Sequence, residues 1–209
     1  MTKRFGISLL VLVIAQSLFL GAMIWDRATL LSSENLVTLK TRPIDPRDIF
    51  RGDYVILNYE INFLEIGKIG GDTDFSSGDK IYVELAPEDE TWTAIAAWRA
   101  SPSEPGNNKI IRGRVGYISA ERSIQSAPDS ETAEDTNSAL RDVPCPTCST
   151  VNVTYGIESY FVPEGEGREL EKERNAGALT IDVALGKDGT AAIRRLRING
   201  EPVYQETLF

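Results

Sequence analysis

Hydrophobic and polar positions follow three different rhythms along this chain. From Phe5 to Trp25 run 21 uncharged residues, of which only Ser8, Gln16 and Ser17 are clearly polar. As a helix this run would span about 31 Å at ~1.5 Å per residue, close to the ~30 Å of a bilayer's hydrocarbon layer. It has no polar stripe of the kind that a helix on a soluble domain turns towards water. The pattern predicts an uncleaved membrane anchor, with residues 5–25 in the lipid. The alternative is a cleaved signal peptide. Its apolar region would span only about 7–15 residues, and two small residues would flank the cut. The only small pair here is Gly21-Ala22, preceded by Leu20.

Residues 28–42 read as a stalk or short helix, with a start signal at Ser32-Ser33-Glu34. Asp45 suits a helix N-cap, Pro46 the first helical position and Gly52 a stop, which predicts one helical turn over Pro46 to Arg51. From Tyr54 the rhythm changes to a period of two. Val55, Leu57, Tyr59 and Ile61 form the set expected to face a core. Further strands are predicted at Lys80–Leu85, Thr91–Ala100, Lys109–Ile118, Val151–Ser159, Leu179–Leu185, Ala191–Ile198 and Pro202–Thr207. Asp188-Gly189 between two such runs is a hairpin signal. Arg168–Asn175 reads as a charged surface helix whose one large apolar residue is Leu170, supported by i, i+3 pairs of Arg168 with Glu171 and Glu171 with Arg174.

Residues 122–149 break the rhythm. Ser, Thr, Asp, Glu and Pro dominate there and large apolar residues nearly vanish. Such a stretch buries too little surface to offset its ordering entropy, so it reads as a disordered acidic insertion. The expected fold class is mainly β: a barrel-like or sandwich antiparallel domain with one or two short helices, preceded by a single N-terminal transmembrane helix. The expected organisation is a basic tail and anchor at 1–27, a stalk at 28–42, and a β-rich extracytoplasmic domain at 43–209.

Composition then removes several chemistries. The 209 residues include no histidine and two cysteines. That excludes imidazole bases, His-containing catalytic pairs and His-ligated zinc or haem, and two thiolates cannot close an all-cysteine metal site. With 22 basic and 31 acidic residues the net charge is −9, which argues against nucleic acid as a partner. Residues 28–209 retain 19 basic and 30 acidic residues, a net of −11. Anionic head groups repel such a domain as a whole. Lys3 and Arg4 before the span give an export-signal pattern and favour an outside C-terminal domain, although Arg27, Lys40 and Arg42 soon after it weaken the positive-inside count.

Candidate chemistry is sparse. Cys145 and Cys148 form a C-x-x-C flanked by Pro144 and Pro146 inside the polar insertion. A local disulfide is the expected state, since no α/β unit surrounds the pair to make it a redox site. Asp53, Glu158 and Glu164 are the carboxylates that an acid/base hydrolase would need. Nothing in the sequence brings them together, and Glu158 is expected in a strand, paired with Arg112 or Arg114. Trp92 and Trp98 lie six apart in one predicted strand and hence on one face, either for packing or for stacking a ligand. No cofactor is predicted.

The run RPIDPRDIFRGDYVILNY, Arg42 to Tyr59, resembles the signature of the GDYXXLXY-motif family through Gly52, Asp53, Tyr54, Leu57 and Tyr59. The block YGIESYFVPEGEGRELE is similar to that family's second signature through Tyr155, Gly156, Glu158, Tyr160, Pro163, Glu164 and Gly165. The resemblance implies a bacterial inner-membrane protein with one N-terminal span, no assigned catalytic residue, and an association with multi-span membrane proteins. The expected function is a non-enzymatic interaction module on a polytopic membrane partner. A carboxylate-dependent cell-envelope hydrolase and a small-ligand-binding barrel stand as alternatives.

Overall fold

A computed structural model of the chain describes residues 2–43, 54–103, 106–120, 149–163 and 167–205. The expected turn at Pro46–Arg51, the expected insertion at 122–149 up to Cys148, and both cysteines lie outside the described residues. Helix α1 (Thr2–Leu31) carries the apolar run, and Phe5 to Trp25 are exposed along its whole length. By length and composition it is a candidate membrane span. It is followed by β1 (Leu36–Lys40), β2 (Tyr54–Ile56), a 3₁₀ turn (Glu60–Asn62), β3 (Phe63–Glu65), β4 (Gly70–Gly71), β5 (Lys80–Glu88), β6 (Thr91–Trp98) and β7 (Lys109–Ala120). Then come β8 (Ser149–Thr154), β9 (Ser159–Phe161), α2 (Gly167–Asn175), β10 (Leu179–Leu185), β11 (Ala191–Ile198) and β12 (Glu201–Gln205).

The fold is mostly β, a curled half-barrel. One sheet runs β3-β8-β7-β5-β6-β4, a second runs β1-β10-β11-β12, and β2 pairs with β9. All pairings are antiparallel except β4 with β6. Inward residues of the sheets meet in one core, including Leu39, Val55, Leu57, Tyr59, Ile81 and Leu196. The odd-numbered set Val55, Leu57, Tyr59 and Ile61 is buried, as its alternation requires. Pro202 sits in β12, the edge strand of its sheet, the position at which a sheet tolerates proline.

Three readings are corrected. Residues 28–42 hold no free stalk: α1 continues to Leu31, and Val37 and Leu39 of β1 are buried against β10. The short alternation LVTLK carried that signal. The strand expected from Val151 to Ser159 is broken after Thr154, where Gly156 takes φ +80° and turns the chain. The helix Arg168–Asn175 is present as α2 but is not solvated all round. Leu170 and Arg174, four apart and so on one face, are both buried.

The Asp188-Gly189 hairpin forms as predicted. Gly186 N–H donates to Thr190 O (2.8 Å), and Gly189 has φ +82°. A Cβ on Gly189 would lie 3.0 Å from both the Cβ and the backbone N of Arg112. Gly189→Ala therefore combines a left-handed backbone penalty of about 1–2 kcal/mol with a tight contact. Gly200→Ala carries the backbone penalty alone, because φ is +83° with open space around it. Thermal melts should show Gly189→Ala as the more damaging change. Equal losses would mean that the approach of Arg112 carries no energy.

Candidate functional site

The two signature blocks meet in space. Strand β2 pairs with β9, with Tyr54 opposite Phe161, Val55 opposite Tyr160 and Ile56 opposite Ser159. Beyond the strand, Leu57 N–H donates to Glu158 O at 2.9 Å. Tyr59 is fully buried and its phenol donates to Ile157 O at 2.7 Å. Tyr155 reciprocates: its phenol donates to Ile61 O, also at 2.7 Å. The Tyr59 phenol thus satisfies a carbonyl inside the second block and the Tyr155 phenol one just beyond the first, in a region where an unmade bond is costly.

Asn62 completes the lock. Its side-chain oxygen accepts from Tyr59 N–H, and its amide donates to Val153 O (2.7 Å) and Glu158 Oε1 (3.3 Å). The Glu158 carboxylate caps the turn between β8 and β9. Oε1 also accepts from Tyr155 N–H, and Oε2 accepts from Gly156 N–H at 2.8 Å. Burial first, and then the charge of Glu158, push the Tyr59 and Tyr155 phenols well above the usual tyrosine range. Both act as neutral donors.

This arrangement corrects the expected pairing of Glu158 with Arg112 or Arg114. Arg112 instead bonds Asp188 (2.8 Å) and Thr190 (3.1 Å), and Arg114 bonds Gly78 O (2.8 Å). Glu158 lies in a turn, where adjacent N–H groups point at one spot and only a carboxylate answers both. Its oxygens are occupied by donors from three residues, which suits a structural cap better than proton transfer. Gly52, Asp53, Glu164 and Gly165 lie outside the described residues. For Tyr54 only the backbone is described. Pro163 follows β9 at the surface, and Tyr160 is buried with its ring edge-on to Tyr204, 6.4 Å between centroids.

Trp92 and Trp98 do not share a face. Glu84 opposes Ala96 but Leu85 opposes Ala94, so Ile95 is an extra residue in β6. A bulge of one residue reverses the alternation beyond it. Trp92 packs against the core with Lys109 Nζ 5.0 Å from its ring centroid. On the opposite face, Trp98 Nε1 donates to Glu84 Oε2 at 3.0 Å. An aromatic stacking surface built from this pair is therefore ruled out.

Three contributors went unrecognised in the sequence. Asn62 lies three residues after Tyr59, and that spacing is its only clue. Arg174 Nη1 donates to Ile56 O at 2.5 Å and its Nε and Nη2 to Asn175 Oδ1, tying α2 to the end of β2. A basic cavity is lined by Lys80, Arg112 and Arg114. Among the described residues no group of three or more His, Cys, Asp or Glu is placed to hold a metal. A family model described as GDYXXLXY protein matches residues 16–196. No curated protein and no solved structure matches the chain.

Proposed function

This chain belongs to the GDYXXLXY protein family, and from that premise we propose a non-enzymatic interaction module that docks on a polytopic membrane protein. In this reading α1 anchors the chain in the bacterial inner membrane and the β-domain lies on the extracytoplasmic side. The observation that carries it is the use made of the signature. Among the described residues, Leu57, Tyr59, Tyr155, Glu158 and Tyr160 join two strands and a turn, so this part of the signature builds a scaffold. None of them presents a reactive group.

The junction between helix and domain supports the same reading. Leu31 is buried, Ser33 Oγ donates to Leu185 O (3.3 Å) and Arg194 Nη1 donates to Ser33 O (2.9 Å). A partner that grips α1 within the bilayer then meets one fixed aspect of the domain. The orientation rests on Lys3 and Arg4 ahead of the span.

Photo-crosslinking groups at Ile7, Val11 and Phe19, all exposed on α1, should capture a multi-span protein from native membranes at normal expression. A periplasm-dependent reporter fused after Phe209 should be active. Capture of lipid alone at all three positions would refute the docking. A reporter active only in the cytosol would refute the orientation.

A further inference from the structure

The chain is acidic, yet one concavity on the outer side of the larger sheet is basic. A cavity of about 390 Å³ is lined by Lys80, Arg112 and Arg114, with Thr154, Gly156 and Thr190 completing its polar wall. That volume falls in the ~300–1,000 Å³ range of small-molecule sites. The register explains the convergence. Lys80 opposes Arg114 across β5 and β7, Thr154 opposes Arg114 across β7 and β8, and Arg112 shares the face of Arg114 two residues away. Among the described residues neither Lys80 nor Arg114 has a carboxylate partner. Arg112 is paired with Asp188 at the rim, and Glu158 lies behind Gly156, holding its N–H. None of the lining residues is acidic. A concave wall of one sign focuses its field on whatever ion enters.

The cavity is also close to the membrane helix. Thr190 belongs to the wall and closes the hairpin turn with Gly186. A Cβ built on Gly186 would lie 3.4 Å from Leu30 Cδ1, in the last turn of α1. One hairpin turn therefore separates the wall from the end of the span.

We propose that Lys80, Arg112 and Arg114 form a binding site for a phosphate-bearing anion; the Thr190 hydroxyl, which donates to Asp188 and accepts from Arg112, braces the guanidinium at the rim. Guanidinium forks and an ammonium match phosphate oxygens, and the volume leaves room for a group attached to the phosphate. The site is independent of the docking reading above. A membrane phosphate and a soluble one share this chemistry.

The full chain in a neutral detergent separates the two sources. Inorganic phosphate and sn-glycerol 3-phosphate are titrated by ³¹P NMR, while retention of phosphatidylglycerol against phosphatidylcholine is read by native mass spectrometry. Lys80→Gln with Arg114→Gln leaves the Arg112 brace on the hairpin intact, and Lys68→Gln with Lys172→Gln makes the same charge change at exposed positions elsewhere. Binding of a phosphate probe should weaken by about tenfold per pocket cation removed and stay unchanged in the control pair. Selective retention of phosphatidylglycerol would assign a lipid head group, and binding of the soluble probes alone would assign a free phosphate compound. Equal loss in both pairs, or no binding of any probe to the parent chain, would overturn the site. Melting of the pocket pair within a few degrees of the parent chain ensures that the loss is not unfolding. If the pair melts lower, Arg114→Lys alone should retain binding, and its failure to do so would also count against the proposal.

Discussion

Tyr59→Ala is expected to abolish the cooperative melting transition of the β-domain. The side chain is fully buried within the hydrophobic core, where packing is dense and a deleted ring leaves a cavity that neighbours refill only in part. Truncating a buried aromatic costs about 3–5 kcal/mol, and leaving Ile157 O without its donor adds about 1–3 kcal/mol. The sum is comparable with the whole stability of a typical domain, about 5–15 kcal/mol. Tyr59→Phe separates the two contributions. It keeps the ring, removes only the hydroxyl, and should cost about 1–3 kcal/mol. Circular dichroism melts of the full chain in detergent decide the matter. A Tyr59→Ala variant that melts within a few degrees of the parent would remove the two-block lock as the basis of the fold.

Alkaline pH should destabilise the domain far more steeply than exposed tyrosines would allow. In the unfolded chain the two phenols titrate near pH 10. In the folded chain burial and the Glu158 charge hold both well above that value. Raised folded pKa values mean that the native state binds more protons than the unfolded state above pH 10. Their stabilisation is therefore complete below that pH and is lost as pH rises from about 10 towards the folded values. Each phenol contributes a limiting slope of about 1.4 kcal/mol per pH unit, so the pair contributes about 2.8 kcal/mol per unit. Urea unfolding between pH 8 and 11.5 should show this fall in the parent chain. The doubly substituted Tyr59→Phe, Tyr155→Phe chain should be weaker at pH 8 yet flatter above pH 10. Parallel curves would show that the phenols are not held protonated by the fold.

Much of the architecture was open to reading in one dimension because it depends on local periodicity. The alternation in Lys80–Leu85, the short apolar-rich runs Leu179–Leu185 and Ala191–Ile198, and the Asp188-Gly189 turn between them follow from side-chain pattern and backbone sterics, which act within a few residues. Errors arose where a single residue changes the period. Ile95 inserts a bulge and sends Trp92 and Trp98 to opposite faces. Gly156 turns a predicted strand and moves Glu158 from a ladder to a cap. Arg174 looked like a surface charge because its acceptor, Ile56 O, is 118 residues away in the chain.

By itself, then, the order of residues determined the apolar helix, the β-rich body, the acidic character and the family signature. These follow from composition and from rhythms that repeat over short distances. The three-dimensional fold alone decided how the described signature residues bond to one another and where the cations gather. Tyr59, Asn62, Tyr155 and Glu158 satisfy one another across some ninety residues of chain, and Lys80, Arg112 and Arg114 converge through strand register. Hydrogen bonds and charges act over a few ångströms of space, and only folding brings groups so far apart along the chain within that reach.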